Sequence, residues 1–488
     1  MSQNQDESQL SSNNQFGLRA FGTDVLIYSA GQGILLFLGF IQGLIVPKYL
    51  SVESYGYLQL FMLYSSYVGI LHLGFIDGAF VRWAGKELTQ IGSELKVASR
   101  FLVLELAVVI TPLSLLCYFL LKPPFQEIAL MVLAFAFVAI PGVLFTFAAQ
   151  AARRFKLLTA ANVGKGLVSL ALIIVFFVAS KLDYRYVIFA LLASQLLLTF
   201  ALVFWLRRYL GGKTASLPSL WAYGKENISI GIFVLLGNFV VILFFTVDRL
   251  MVSSLFPIDQ FAIYAFAIAV ITIAYAFVAA VSGVFFPYLS AATHELRTKA
   301  YQLGKPTIIL AWGSILAIYF PVAWLLLFYL PQYIASLPLI HILLCTAGFG
   351  SLIQILHVNY YMAYRKQRQY FLCGIAALAV LVVLVFAAIK IWGTLESVAV
   401  ATIISFGVWY IINELSLKSV VGESNRGLWK SLGIICCYMG AFWVSSLVTD
   451  RLVIQLVIYI CLFALLTWLF SRHAIRELAA IAREIRRK

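Results

Sequence analysis

Fourteen apolar stretches, each about as long as a membrane-spanning helix, constrain this chain more than any other feature. A helix needs about 20 mostly apolar residues to cross a bilayer, and a helix satisfies its own backbone hydrogen bonds in lipid. The composition agrees, since 63% of the 488 residues are hydrophobic and the mean hydropathy is +0.97. We therefore expect an all-α polytopic membrane protein with 14 transmembrane helices. The predicted spans are residues 25–47, 56–76, 99–120, 127–149, 161–180, 186–206, 229–252, 260–284, 306–329, 336–361, 370–391, 396–416, 429–448 and 452–471.

The basic residues test this helix count independently, because lysine and arginine accumulate in the cytoplasmic loops of membrane proteins. Most of the 35 lysines and arginines fall in alternate loops. This pattern predicts an even number of spans, with both termini in the cytoplasm. The net charge of +15 belongs to these loops, so no nucleic-acid partner is expected. The six cysteines lie in apolar runs without metal-ligand spacing, so neither a metal site nor a disulfide is predicted.

The order of spans and charges predicts how the chain is organised. No loop is long enough to fold as a separate domain, so the activity is expected within the bilayer. The first 23 residues carry neither a basic start nor a cleavage site, and the first helix is expected to be its own insertion signal. The predicted parts are a cytoplasmic N-terminal tail (1–23), a first six-helix bundle (24–210), a cytoplasmic linker (211–225), a second six-helix bundle (226–418), helices 13 and 14 (419–471) and a basic amphipathic C-terminal tail (472–488).

An internal repeat relates the two bundles. A shift of 206 positions places Ser51–Leu58 on Pro257–Tyr264, and it places Gln42 on Asp248. With small added gaps, Pro112 meets Pro321, and the basic loop at Ala152 meets the one at Tyr364. Each repeat has an even number of helices, so the bundles are expected to be related by a pseudo-twofold axis along the membrane normal. Repeats of this kind are typical of transporters that bind substrate at the repeat interface.

Three stretches carry a resemblance to a known family. They read GFIQGLIVPKYLSVESYGYLQL, GFIDGAFVRWAGKE and VDRLMVSSLFPIDQFAIYAFA. In these stretches and in its helix plan, the chain resembles the polysaccharide transporter branch of the multidrug/oligosaccharidyl-lipid/polysaccharide (MOP) exporter superfamily. The resemblance implies a flippase of the bacterial inner membrane, which moves an undecaprenyl-diphosphate-linked oligosaccharide from the inner to the outer leaflet by alternating access. It also implies a cavity lined by helices 1, 2, 7 and 8, with membrane lipids and other polysaccharide assembly proteins as partners.

A flippase for such a substrate must offer cations to the diphosphate and polar groups to the sugar. Arg82 and Arg249 are the candidates for phosphate contact. Asp77 and Asp248 are expected to balance them or to titrate during coupling. For all four, the alternative is a simple position at a membrane interface. Adjacent helical residues point about 100° apart, so Asp248 and Arg249 are not expected to pair through their side chains.

Three amides complete the predicted cavity, namely Gln32, Gln42 and Asn238. Gln32 and Asn238 occupy matching positions in the two repeats, and an interhelical hydrogen bond is the alternative for each. Glu105 and Lys165 are placed only about a turn inside their helices, and structural roles are expected for both. His72, His341 and His357 show no ligand spacing, which leaves packing and a proton relay as alternatives. No metal or cofactor is predicted, and a coupling ion, H⁺ or Na⁺, stays open.

Besides a purely structural partner in an envelope assembly, two other functions compete with the flippase. One is a membrane-embedded polysaccharide polymerase, but the seven aspartates are isolated and no HExxH, GxSxG or Walker sequence occurs, so no enzyme is predicted. The other is an ion-coupled multidrug antiporter of the same superfamily. That function predicts a mainly acidic cavity, whereas the candidate residues here lean basic.

Overall fold

The computed structural model describes residues 30–84, 86–181, 183–211, 216–422 and 425–470. Both predicted tails, 1–23 and 472–488, lie outside these ranges. All regular structure within the described ranges is helical, which confirms the all-α prediction.

Twelve helices in the described ranges are long and apolar enough to cross a membrane. The number rises to 14 if each of two bent helix pairs is one span. The pairs are Val52–His72 with Phe75–Trp83, and Pro331–Leu343 with Thr346–Ala363. They coincide with the second and tenth predicted spans, so the multi-pass prediction is confirmed.

The chain divides into two compact units, Met1–Phe239 and Val240–Lys488. This division falls inside a helix that begins at Leu217, so the stretch 217–225 of the predicted linker is helical. The helices of the first unit are α1 (Ala30–Tyr49), α2 (Val52–Ser65), α3 (Phe75–Trp83), α4 (Leu88–Leu120), α5 (Phe125–Ala151), α6 (Phe155–Val178), α7 (Tyr184–Leu206) and most of α8 (Leu217–Phe244).

The second unit contains α9 to α19. They are α9 (Val247–Leu255), α10 (Ile258–Ala291), α11 (His294–Leu316), α12 (Tyr319–Tyr329), α13 (Leu337–Leu343), α14 (Thr346–Leu352), α15 (Val358–Ala363), α16 (Gln367–Ile391), α17 (Leu395–Val421), α18 (Asn425–Leu447) and α19 (Leu452–Phe470). A π-helical segment, Ile353–His357, joins α14 to α15.

The second predicted span breaks in front of α3. Leu73 and Gly74 have left-handed backbone angles, with φ of 47° and 83°, and the two parts of the span meet at 65°. Gly74 and Gly78 face α8 so closely that a Cβ on either would collide with the backbone of that helix. Glycines four residues apart allow such close helix packing in membranes. The sequence GFIDG therefore sets both the bend and the contact of α3 with α8.

The seventh predicted span also breaks, which corrects the expectation of one helix over 229–252. α8 ends at Phe244 and α9 begins at Val247. The hydroxyl of Thr246 donates to the carbonyl of Ile242 at 2.6 Å and so satisfies a group at the end of α8. Polar side chains of this kind allow a helix to break inside a bilayer. The break places Asp248 in the first turn of a new helix rather than near the end of an old one.

The repeat appears in the local geometry of both units. α2 and α10 begin at Val52 and Ile258, which the shift of 206 positions aligns. Arg153 and Arg365, from the two matched basic loops, both adopt left-handed angles, with φ of 57° and 55°. In each loop the next helix begins two residues later. The sequence matches therefore correspond to matched turns.

Two charges lie deeper in their helices than the sequence suggested. α4 begins at Leu88, so Glu105 is near the middle of that helix instead of a turn from its start. α6 begins at Phe155, and Lys165 is near its middle. The Nζ of Lys165 donates to the Oε1 of Gln195 at 2.5 Å. The prediction placed both too near a helix end because apolar periodicity misses the polar first turns.

Candidate functional site

Asp248 is held in a closed set of hydrogen bonds at the start of α9. Its Oδ1 accepts from the backbone N–H of Arg249 at 2.7 Å, and its Oδ2 accepts from the hydroxyl of Tyr264 on α10 at 2.7 Å. The residue is only 3% exposed. A helix N-terminus favours a carboxylate because its N–H dipoles point toward it. The break in the span thus creates a helix N-terminus, which stabilises the buried carboxylate of Asp248.

The guanidinium of Arg249 bonds to the backbone. Its Nη2 donates to the carbonyl of Phe245 at 3.1 Å, in the gap between α8 and α9. Its Nε is buried and has no hydrogen-bond partner within the described part of the chain. A guanidinium carries five donors, so this one retains capacity for an anion.

Aromatic rings surround the break between α8 and α9. The ring of Phe245 lies 5.5 Å from those of Tyr275 and Phe406, and Trp409 lies 4.0 Å from Phe244. Aromatic faces suit sugar rings and organic cations alike. The second unit therefore places a buried acid, a partly satisfied cation and aromatic faces close together.

Arg82, in the first unit, already has partners. Its Nη2 lies 2.6 Å from the Oε1 of Glu226 on α8, and its guanidinium lies 5.4 Å from the ring centre of Tyr223. The side chain of Glu226 is 55% exposed, and that of Arg82 is 28% exposed. An exposed ion pair is weak, so an anion with more charge can displace the glutamate.

Asp77 lies in the first turn of α3 and faces a histidine rather than Arg82. The Nε2 of His72 is 4.0 Å from its Oδ2. That oxygen is buried without a hydrogen-bond partner in the part of the chain that the structure describes. Asp77 and Arg82 therefore share a helix but belong to separate contacts.

The three predicted amides lie on α1 and α8. Gln32 and Asn238 are exposed or partly exposed, and so is Gln42. An accessible amide in an apolar helix contributes polar surface, which is what a sugar-binding wall needs. Their role as cavity residues stays a prediction.

A second group of charges is buried in the second unit. The Nζ of Lys305 lies 2.9 Å from the Oε2 of Glu414, and the hydroxyl of Tyr301 donates to Oε1 of the same carboxylate at 2.7 Å. The Nε2 of His357 lies 3.2 Å from that Oε1. All four residues are at most 3% exposed. We call Tyr301, Lys305, His357 and Glu414 the buried quartet.

Comparison with known families supplies the chain's relationships. The family model described as "Polysaccharide biosynthesis protein" matches residues 21–293. The match covers more than half of the chain and includes Asp77, Arg82, Asp248 and Arg249. This chain belongs to the polysaccharide biosynthesis protein family. No functionally curated protein matches its sequence significantly.

Several solved structures share the fold of this family member. "Lipid II flippase MurJ, inward closed conformation" matches with a TM-score of 0.62 at 13% identity, over 92% of this chain and 100% of that chain. An inward-facing multidrug resistance MATE family transporter of the MOP superfamily matches with a TM-score of 0.56 at 13% identity, over 82% and 96%. The MATE multidrug transporter DinF-BH matches with a TM-score of 0.54 at 17% identity, over 82% and 95%. The fold alone leaves lipid and drug substrates open.

The partners of the candidate site residues were not predicted from the sequence. Glu226 was not singled out, because its distance from Arg82 in the chain hides the ion pair. The buried quartet was missed because Lys305 and Glu414 lie near the ends of predicted spans, where charges are common. One signal was available, since Tyr301 and Lys305 are four residues apart and therefore share a helix face.

Proposed function

We propose that this member of the polysaccharide biosynthesis protein family is a flippase. Its substrate is an undecaprenyl-diphosphate-linked oligosaccharide, which it moves from the inner to the outer leaflet by alternating access. Two findings support this: the family match, and a fold in common with a protein named as a lipid II flippase.

The observation that carries the proposal is the state of Arg249. A guanidinium inside an apolar span is costly, and such residues mark substrate paths. The Nη2 of Arg249 donates a hydrogen bond to the carbonyl of Phe245, while its buried Nε is unpaired among the described residues. A phosphate oxygen supplies the acceptor that the site lacks.

Arg82 provides a second phosphate contact through exchange of partners. Its pair with Glu226 is partly exposed, and a diphosphate competes for the same guanidinium with more charge. Glu226 then acts as a placeholder that keeps Arg82 satisfied when no substrate is bound. The substrate contacts of Asp77, Gln32, Gln42 and Asn238 belong to the same proposal.

The cellular setting is also part of the proposal. The protein lies in the bacterial inner membrane with both termini in the cytoplasm, and it works with other polysaccharide assembly proteins. An ion gradient of H⁺ or Na⁺, or the gradient of the substrate itself, supplies the energy.

One observation favours a multidrug antiporter as the second candidate. Asp248 is a buried acid with the rings of Phe245, Tyr275 and Phe406 nearby, and cationic aromatic molecules bind to such a combination. This function predicts that Asp248→Asn abolishes efflux of a cationic dye from cells, whereas Arg249→Ala leaves that efflux unchanged.

Deletion of the gene, followed by analysis of lipid-linked intermediates, tests the flippase. We expect undecaprenyl-diphosphate oligosaccharide to accumulate, protected from reagents added outside the cell. Accumulation of single units accessible from outside would instead assign the block to polymerisation and refute the flippase. An unchanged pool of intermediates, together with sensitivity to cationic dyes, would favour the drug antiporter.

A further inference from the structure

The buried quartet is built from three elements of the second unit. Tyr301 and Lys305 come from α11, Glu414 comes from α17, and His357 ends the π-helical segment. Tyr301 and Lys305 donate to Glu414, and the Nε2 of His357 lies within hydrogen-bond distance of the same carboxylate. The quartet thus ties two long helices to the irregular segment through one carboxylate.

The fold does not require His357 and Glu414, because the first unit has apolar residues at the two corresponding positions. His357 lies eight positions before Arg365, and Phe145 lies eight positions before the matched Arg153. Glu414 and Val203 hold the same position counted from the starts of α17 and α7. Phe145 is 4% exposed and packs in the core of its own unit.

Stability is a poor reason to keep the quartet. Replacing a buried ion pair with well-packed apolar residues is often neutral or stabilising, and burial of charge is more costly still in lipid. The first unit uses that apolar solution at two of the positions. The charges in the second unit therefore call for a functional reason.

His357 has one ring nitrogen to spare. An ionised carboxylate only accepts hydrogen bonds, so the Nε2 that faces Glu414 carries the hydrogen. The other nitrogen, Nδ1, is buried and has no partner among the described residues. In the neutral ring this Nδ1 holds a lone pair, which is a vacant position for one proton.

The segment that carries His357 departs from regular α-helix. Ile353–His357 is π-helical, and short π segments in helices are frequent at functional sites. It lies in the span that is bent by 46°. The hydroxyl of Ser282 on α10 donates to the carbonyl of Gln354 at 2.7 Å. A return of this segment to regular α-helix would move His357 relative to Glu414.

We infer that the buried quartet is a proton-binding site, in which His357 takes up one proton on Nδ1 while Glu414 holds it in place. A doubly protonated ring is stabilised by the carboxylate and is repelled by the ammonium of Lys305. Movement of the π-helical segment away from Glu414 removes the first effect and releases the proton. Proton binding is thereby linked to the shape of this span.

The charged and aromatic groups around His357 come from α11, α15 and α17. α11 contributes Tyr301 and Lys305, and α17 contributes Glu414 and Tyr410, whose ring stacks on the imidazole at 5.5 Å. α15 contributes Tyr360, which meets the ring of Tyr301 at 5.0 Å. Lysine and glutamate balance each other, so the added proton is the net charge of the site.

Proton counting on the purified protein tests this site without any substrate. The protein in detergent is acidified from about pH 7.5 to about pH 5.5 in weak buffer, a range that brackets histidine titration. We expect His357→Gln to take up about one proton fewer per chain than the unchanged protein. Glu414→Gln is expected to lose the same proton, because it removes the stabilising charge.

His294→Gln is the matched control, because His294 is an exposed histidine on α11 outside the buried quartet. If His357→Gln does not fold, His357→Phe replaces it with the residue type of the first unit. Uptake by a folded His357 variant equal to that of the unchanged protein would overturn the inference.

A role of this proton in transport rests on the proposed function and has its own test. In the triple variant Lys305→Met, Glu414→Val and His357→Phe, we expect at least a ten-fold loss of surface polysaccharide at normal protein levels. Full polysaccharide production by this variant would overturn the coupling role, whatever the proton count. Failure of the flippase itself is detected separately, by the lipid-linked intermediates of the deletion strain.

Discussion

Arg82 and Arg249 look alike in the sequence, as single arginines beside an apolar run, yet their surroundings differ. Arg82 is paired with Glu226 at 2.6 Å, whereas Arg249 is bonded to a backbone carbonyl and keeps a buried, unpaired Nε among the described residues. Truncating the side chain of Arg249 therefore removes a hydrogen bond to a backbone carbonyl and leaves the ion pair of Arg82 intact. Its loss is expected to affect substrate rather than folding.

Arg249→Ala is expected to lower surface polysaccharide at least ten-fold while leaving the amount of membrane protein unchanged. Arg249→Lys keeps the charge but loses the planar fork, so an intermediate level is expected. The matched control is Ser253→Ala, one turn further along α9, whose hydroxyl donates to the carbonyl of Leu250 in the same helix. Wild-type polysaccharide in Arg249→Ala would remove Arg249 from the substrate path.

Tyr264→Phe is expected to destabilise the protein by about 1 to 3 kcal/mol, because it leaves a buried carboxylate oxygen of Asp248 unpaired. A lower melting temperature in detergent measures this cost. The control is Tyr118→Phe, since that ring is 57% exposed. Equal melting temperatures for the two variants would show that Asp248 is satisfied in another way.

At the scale of elements, the broken helices decide where polar groups lie. α3 follows a left-handed turn and packs its glycines on α8, and α9 follows a break that carries Asp248 and Arg249. The sequence predicted spans in both places, because hydropathy over about 20 residues identifies a crossing. It did not predict the breaks, because average hydropathy does not register the left-handed turn at Leu73 and Gly74 or a side-chain hydrogen bond such as that of Thr246.

Gly78→Ala is expected to cost about 1 to 3 kcal/mol or more, since its Cβ would overlap the backbone of Asn227 and force α3 away from α8. Loss of the monodisperse species on size-exclusion chromatography after heating measures it. Gly43→Ala on α1 is the control, because its added Cβ would meet no described residue beyond its own stretch of helix within 4 Å. If both variants survive heating equally, the close contact of α3 with α8 is not required.

At the scale of the whole molecule, the two repeats share turns at matching positions, but they do not share the charged residues of the buried quartet. Arg153 and Arg365 share a left-handed turn, while Phe145 and Val203 stand where His357 and Glu414 form the buried quartet. The turns are fixed by local backbone geometry, which two copies can retain. The buried charges depend on partners from three elements, so one copy can lose or gain them.

The positions of the basic loops predict which side of the membrane each loop lies on. A reporter domain that is active only in the cytoplasm is expected to give a signal when it is fused after residue 211 or after residue 422. An even number of predicted spans precedes each of these points. A fusion after Lys181, which follows an odd number, is expected outside. A cytoplasmic signal at Lys181 would contradict the 14-helix plan.

The sequence by itself determined the helical class, the multi-pass arrangement and the repeat. Each of these depends on local quantities: apolar length, the placement of basic residues, and order along the chain. Only the tertiary structure decided that Glu226 satisfies Arg82, that Tyr264 satisfies Asp248, and that Lys305, His357 and Glu414 meet. The reason is that burial in lipid requires polar groups to find partners, and those partners come from helices distant in the chain.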